Sequence, residues 1–278
     1  MRLSIVTPSF RNSDWLKLCV ASVADQQGVE FEHIVQDSCS DDGTQDWLPA
    51  DPRVKAFVEK DAGMYDAVNR GFRRATGDIL AYLNCDEQYL PGALKAVHDF
   101  FEKNPNVDVA VADTVIVNTK GEYICHRYAL APLKHHLWVR FNVITCALFI
   151  RRRVVGETGL FFDTQWRDLG DVFWLIEAKR RGLRFGTLRY FTSAFTETGE
   201  NMNLKPNALR EKEVKRAMTP KMVKRFEPLI VWHHRLRMLA SGAFWRKPFD
   251  YAIYTTASPE HRMTFDVPQP TGLWHGRF

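Results

Sequence analysis

Short apolar runs and amphipathic stretches alternate along the first third of the chain, and this alternation sets the expected architecture. RLSIVTPSF, residues 2–10, is a β-branched run closed by Pro8 and reads as a first strand. From Asp14 to Gln27 the apolar positions recur with helical period, turning Leu16, Cys19, Val20 and Val23 inward. FEHIVQD is a second strand, DDGTQDWL turns into a short helix, and RVKAFVEK is a third strand. A helix over Tyr65 to Ala75 stops before Gly77, and DILAYLN is a fourth strand. Strands separated by such helices form βαβ units, so an α/β protein with a mainly parallel sheet flanked by helices is expected.

The second half is less regular. VDVAVADTVIVN reads as a strand, VITCALFIRR as another leading into a helix, and GDVFWLIEAKRRG as a helix that partly buries Phe173, Trp174, Leu175 and Ile176. A boundary between Thr198 and Pro206 divides the chain into a domain over residues 1–200 and a helical, basic C-terminal extension over 201–278. Within the extension, PLIVWHHRLRMLASGAFW puts Leu229, Trp232, Leu236, Leu239 and Ala243 on one helical stripe.

Composition narrows the class. A chain of 278 residues with 45% apolar and 26% charged residues has the make-up of a soluble globular protein with a large core. The formal charge of +5 is uneven, because Lys205 to Lys247 holds twelve Lys/Arg against three Glu. The basic character therefore belongs to the extension and says little about the chemistry of the first domain. The N-terminus lacks the pattern of a signal peptide and no apolar run is long enough to span a bilayer, so a cytoplasmic protein is expected. Five scattered cysteines without a C-x-x-C argue for reduced thiols. The pairs His135-His136 and His233-His234 lack partners at ligand spacing along the chain, so no structural zinc site is expected.

Ligands of open parallel sheets bind beyond the carboxyl ends of the strands. The polar residues at those ends are Thr7 to Asn12, Asp37 to Asp42 and Asn84 to Glu87, so three strand ends should converge on one crevice. Four motifs follow in order: VTPSFRN, IVQDSCSDDGT, DAGMYDAVNRGFRRATGDILAYLNCDE and FFDTQWRDLGD. Together they resemble the inverting family 2 glycosyltransferases of GT-A fold, over roughly residues 1 to 200. The resemblance implies a Rossmann-like GT-A sheet that moves a sugar from a nucleotide-diphosphate sugar to an acceptor hydroxyl, with Mn2+ or Mg2+ as cofactor.

What the resemblance implies for single residues can be weighed against their chemistry. The family's Asp-x-Asp is here Asn84-Cys85-Asp86, at the donor, and Asp86 with Glu87 would hold the cation, since hard cations take oxygen ligands. Asn84 keeps an acceptor but loses a charge. Asp37 resembles the carboxylate that accepts a hydrogen bond from the base, with uracil preferred and guanine or thymine open. Thr7, Pro8 and Ser9 would shape the floor beneath that base. Asp61 sits at a donor-side position and Asp66 is a second candidate, although each is also placed to cap the next helix. TETGENMN falls where relatives carry a loop over the donor, so Thr198, Gly199 and Asn201 are candidates for diphosphate contact, and a plain surface turn explains them equally well.

A base must take a proton from the acceptor hydroxyl as that oxygen attacks the anomeric carbon. WRDLGDVFW resembles the family's Glu-Asp motif, with Asp171 at the second acid and Gly170 in place of the first. Asp171 is the expected base and Asp168 the alternative, and either could instead cap the helix that follows. The acceptor would be a saccharide or lipid-linked saccharide. The basic and aromatic flanks KMVKRFE and WRKPFDY suit an anionic membrane surface at the cytoplasmic face, and no nucleic-acid module accompanies the charge. A degenerate GT-A domain acting as a non-catalytic, membrane-associated scaffold is the competing reading, kept open by Asn84 and Gly170. No G-x-G-x-x-G follows a strand, which argues against a nicotinamide-dependent dehydrogenase.

Overall fold

The computed structural model describes residues 1–140, 143–199, 206–243 and 247–274. Its first part runs β1 (Leu3–Ser9), α1 (Ser13–Ala24), β2 (Phe31–Asp37), α2 (Thr44–Trp47), β3 (Lys55–Val58), α3 (Met64–Arg74) and β4 (Ile79–Tyr82). These are the strands and helices that the apolar pattern predicts. Then come β5 (Glu87–Tyr89), α4 (Ala93–Lys103), β6 (Val109–Asn118), β7 (Tyr123–Arg127), α5 (His136–Val139), β8 (Leu148–Arg151), α6 (Arg152–Gly156), α7 (Gly170–Arg180) and β9 (Phe185–Glu197).

The large sheet has the order β3-β2-β1-β4-β8-β6-β9-β5, with β7 paired to β6. From β3 to β4 it is parallel, with Leu3 opposite both Phe31 and Ile79 and Ser9 opposite Asp37. That register levels the carboxyl ends of β1 and β2. β8 then runs antiparallel to β4 and β6, whereas β6 and β9 pair in parallel, so the second half of the sheet is mixed. Both faces are covered. Val6, Ile34, Val68, Leu80, Tyr82 and Trp174 are buried on one side, and Leu3, Ile5, Val23, Leu83, Val97 and Phe149 on the other.

Helix α3 lies close to β1 because Gly71 has no side chain: a Cβ there would come 2.3 Å from Val6 Cγ1. At the amino ends of the strands Glu32 is buried. Burial disfavours its charge, yet hydrogen bonds from Lys55, Ser4 and Thr76 hold its carboxyl down to about 2. It ties β1, β2, β3 and the turn before β4 together.

The extension begins as expected with helices, α8 (Pro206–Met218), α9 (Lys221–Arg225) and α10 (Glu227–Ala240). It then departs from the helical reading, ending in an antiparallel hairpin of β10 (Phe249–Thr255) and β11 (Ser258–Val267). The physical signal is the period-two alternation of FDYAIYT, whose Tyr251 and Ile253 pack with Val267 against Leu90, Val115, Val117 and Ala194. Arg262 locks the hairpin by donating to Asp25, Tyr89 O and Ala252 O. Among the described residues no helix is long and apolar enough to cross a membrane.

Candidate functional site

The loops after β1, β2 and β4, the start of α3 and the start of α7 surround a cavity of about 1410 Å³. Pro8, Ser9, Asp61, Asp66, Asn84, Cys85 and Asp86 line it from the first half of the chain. Asp168, Asp171 and Thr198 line it from the second. Candidate residues from three of the four motifs, with Thr198 of TETGENMN, therefore meet in one space.

Asn84 directs a buried Oδ1 that has no hydrogen-bond partner among the described residues. Asp86 has no Lys, Arg or His partner among the described residues, and burial raises its pKa. An orphaned amide oxygen beside an unneutralised carboxylate is a donor set that fits a hard divalent cation. Glu87 stands differently. It is 1% exposed, is absent from the cavity lining, and accepts a hydrogen bond from Asn84 N at 2.8 Å through Oε2. Burial and the nearby Asp86 push its pKa up, and the bond from Asn84 N ties it to the Asn84-Cys85-Asp86 turn while its Oε1 is buried with no partner among the described residues. Cys85 is 7% exposed and accepts from Asn12 Nδ2 at 3.5 Å.

Asp37 and Thr7 lie behind the lining. Both carboxylate oxygens of Asp37 are taken by Ser40, Oδ2 by its N–H at 2.8 Å and Oδ1 by its hydroxyl at 2.6 Å, and the residue is fully buried. Thr7 Oγ1 is 2.8 Å from His33 Nε2. Thr7 is fully buried, while Pro8 and Ser9, at the carboxyl end of β1, line the cavity. Asp42 organises the same turn, accepting from Ser13 N and from Thr44. Asp61 accepts from Gly63 N at 2.9 Å, and Asp66 from Ala62 N at 3.0 Å and from Arg70. Both therefore order the entry to α3 as well as lining the cavity. Gly199 has a left-handed φ of +80° with open space where a Cβ would stand, and Asn201 lies outside the described residues.

Asp171 opens α7. Its Oδ1 accepts from Val172 N at 2.8 Å and from the Tyr65 hydroxyl at 3.3 Å. Burial dominates and raises its pKa to about 6, so it is ionised at neutral pH yet more basic than a solvated carboxylate. Asp168 faces the same cavity, but its Oδ2 is held by Asn207 Nδ2 at 2.7 Å.

Two residues that sequence reading missed fix this loop. Tyr65 is 3% exposed and accepts from Asp171 N at 3.1 Å, and its ring lies so close to Gly170 that a Cβ there would come 2.5 Å from Tyr65 Cε2. With Tyr65 in this place, position 170 has no room for a side chain. Glu211, on α8, accepts from the backbone N–H groups of Arg167, Asp168 and Leu169 at 2.8, 3.0 and 2.8 Å. These bonds hold its pKa below the usual carboxylate range despite burial. Nothing in NALREKEVK marks Glu211, whereas an aromatic at the start of α3 was open to notice.

The profile described as "Glycosyl transferase family 2" matches residues 4–158. Relatives include a putative teichuronic acid biosynthesis glycosyltransferase, TuaG, of Bacillus subtilis, 33% identical over 103 residues, which cover 35% of this chain and 41% of that one. A PGL/p-HBAD biosynthesis glycosyltransferase of Mycobacterium bovis is 29% identical over 174 residues, or 60% of this chain and 66% of its own. The chain thus spans less than two thirds of either relative. Among solved structures, S. aureus TarS 1–349 in complex with UDP-GlcNAc superposes with a TM-score of 0.63 at 17% identity, covering 77% of this chain and 66% of that chain. The mannosyltransferase PcManGT from Pyrobaculum calidifontis, in complex with GDP-Man and Mn2+, gives 0.54 at 18%, covering 77% and 60%. These neighbours share the GT-A fold of the curled α/β sheet. With more than half of its length matched by the family profile, the chain belongs to glycosyl transferase family 2.

Proposed function

We propose that the cavity transfers a sugar, with inversion, from a nucleotide-diphosphate sugar to a hydroxyl of a saccharide or lipid-linked saccharide. The observation that carries this reading is that a carboxylate with its pKa near 6, Asp171, shares one cavity with the oxygen donors Asn84 and Asp86. Asp171 would accept the acceptor's proton, and its own geometry is set by Tyr65 and Val172 N–H. Asp86, with Asn84, would hold a Mn2+ or Mg2+ ion, which when bound offsets the charge that grows on the leaving diphosphate. Ser9, Asp61 and Thr198 remain candidates for donor contact at the cavity lining. Asp37 acts on the base pocket through the Ser38-Cys39-Ser40 turn, or through direct contact if that turn opens.

UDP-sugars come first because S. aureus TarS is described in complex with UDP-GlcNAc, and GDP-sugars come second because PcManGT is described with GDP-Man and Mn2+. The relatives' names, in teichuronic acid and PGL/p-HBAD biosynthesis, support a saccharide or lipid-linked acceptor. Leu229, Trp232, Leu236 and Leu239 form an exposed stripe on α10, and Lys221, Lys224, Arg225 and Arg235 are exposed around it. Only Ala243 of the stripe is buried, which supports peripheral docking on an anionic membrane rather than core packing. Calorimetric titration with UDP, GDP and dTDP, with and without Mn2+, tests the donor site. Metal-dependent binding of one nucleotide is expected, and no binding of any would favour the non-catalytic scaffold.

A further inference from the structure

The two histidine pairs that stand about a hundred residues apart in sequence meet in the fold. His136 opens α5 with His135 just before it, and His233 and His234 lie on α10. His136 Nε2 is 3.2 Å from His233 Nδ1, and one ring nitrogen from each of His135, His136 and His233 lies within 4.8 Å of the other two. The reading that these pairs lack ligand partners held only along the chain. A tetrahedral zinc ion with nitrogens at about 2.0–2.1 Å separates those nitrogens by about 3.3 Å. The 3.2 Å between His136 Nε2 and His233 Nδ1 is already that separation, and a nitrogen of His135 closes on the pair by a movement of about 2 Å or less.

We propose that His135, His136 and His233 form a transition-metal site, best fitted to Zn2+, that clamps α10 to α5. A set of imidazoles without carboxylates selects a borderline-soft ion rather than Mg2+ or Mn2+, so this site is chemically distinct from the one at Asp86. Water completes the fourth position. His136 is 3% exposed.

Arg237 sets the metal-free state. Its Nη1 is 3.3 Å from His136 Nδ1, and its Nη2 donates to Ala131 O at 2.9 Å. Because arginine only donates, the His136 proton then sits on Nε2 and is donated to His233 Nδ1. Ligation through Nε2 moves that proton to Nδ1, with no net release, and Arg237 turns from the ring while keeping Ala131 O.

The test is zinc titration of tag-free, EDTA-stripped protein against a chromophoric chelator, in an Asp86→Ala background that removes the donor-side carboxylate. One zinc per chain is expected, with a rise in Tm. His135→Ala, on the rim, and His233→Gln should each weaken binding at least tenfold with unchanged circular dichroism. Arg237→Gln should tighten it, because a cation beside the site is removed. Failure to bind one zinc, or affinity undiminished from the parent protein in either histidine variant, would overturn the proposal. UDP binding by the protein with Asp86 intact reads the proposed donor site separately, so the two can fail independently.

Discussion

Ser9, Asn84 and Asp86 reach the cavity on strand ends, whereas Asp171 reaches it on the first turn of a helix held by side chains from two other parts of the chain. On the side of Asn84 and Asp86, pairing of β1 with β4 sets the spacing, with Val6 opposite Tyr82, the last residue of β4. On the side of Asp171, Tyr65 is 106 residues away in sequence, and Glu211 is 42 to 44 residues from the N–H groups that donate to it. The first arrangement is fixed by backbone hydrogen bonds that many sequences satisfy, so side chains there are free to specialise. The second is fixed by a few side chains, so single substitutions should disturb it more readily.

The sharpest separation should come from Asp171→Asn. Turnover should fall by about 10²–10⁴-fold while nucleotide affinity holds, as steady-state rates beside calorimetry would show. Because burial raises this carboxyl's pKa, its charge opposes folding above about pH 6, so the same variant should have a higher Tm. Asp86→Ala should instead abolish metal-dependent nucleotide binding and cost about 10²-fold or more in rate. Loss of binding in both variants would mean that the two sides are not separable. Gly170→Ala should cost about 1–3 kcal/mol in a denaturant melt, because its Cβ meets the Tyr65 ring. Glu211→Gln should lower kcat about tenfold with little change in donor KM, as the loop before α7 loosens. The mildest effect is the pH profile, where kcat/KM should fall as pH drops through about 6 and Asp171 takes up its proton.

The parallel half of the sheet was legible because each strand and helix announces itself within a dozen residues and consecutive strands pair or lie close. The mixed half was not. β8 inserts between β4 and β6, and β9 pairs with β6 and β5 while its register shifts at Ala112 and Asp113, which no local pattern encodes. The site divides in the same way. Asn84, Asp86 and Asp171 were visible as acids and amides at element ends, and all three line the cavity. Asp37 looked equivalent, but the Ser40 N–H and hydroxyl that take up both its oxygens depend on a turn whose shape a sequence does not show. Glu211 was invisible because its partners are backbone groups on another element. The meeting of His135, His136 and His233 is equally hidden, since spacing along a chain says nothing about contact across it.

The C-terminal hairpin has a practical consequence. Strand β5 is three residues long and ends the large sheet, and β10 covers it through paired bonds between the Gln88 amide and the backbone of Tyr254. A chain cut before Phe249 would uncover that edge together with the apolar faces of Leu90, Val115, Val117 and Ala194. An exposed strand edge beside an apolar patch invites intermolecular strand addition. Shortened versions of this protein should therefore be lost to aggregation, even where the cavity's early motifs are all retained.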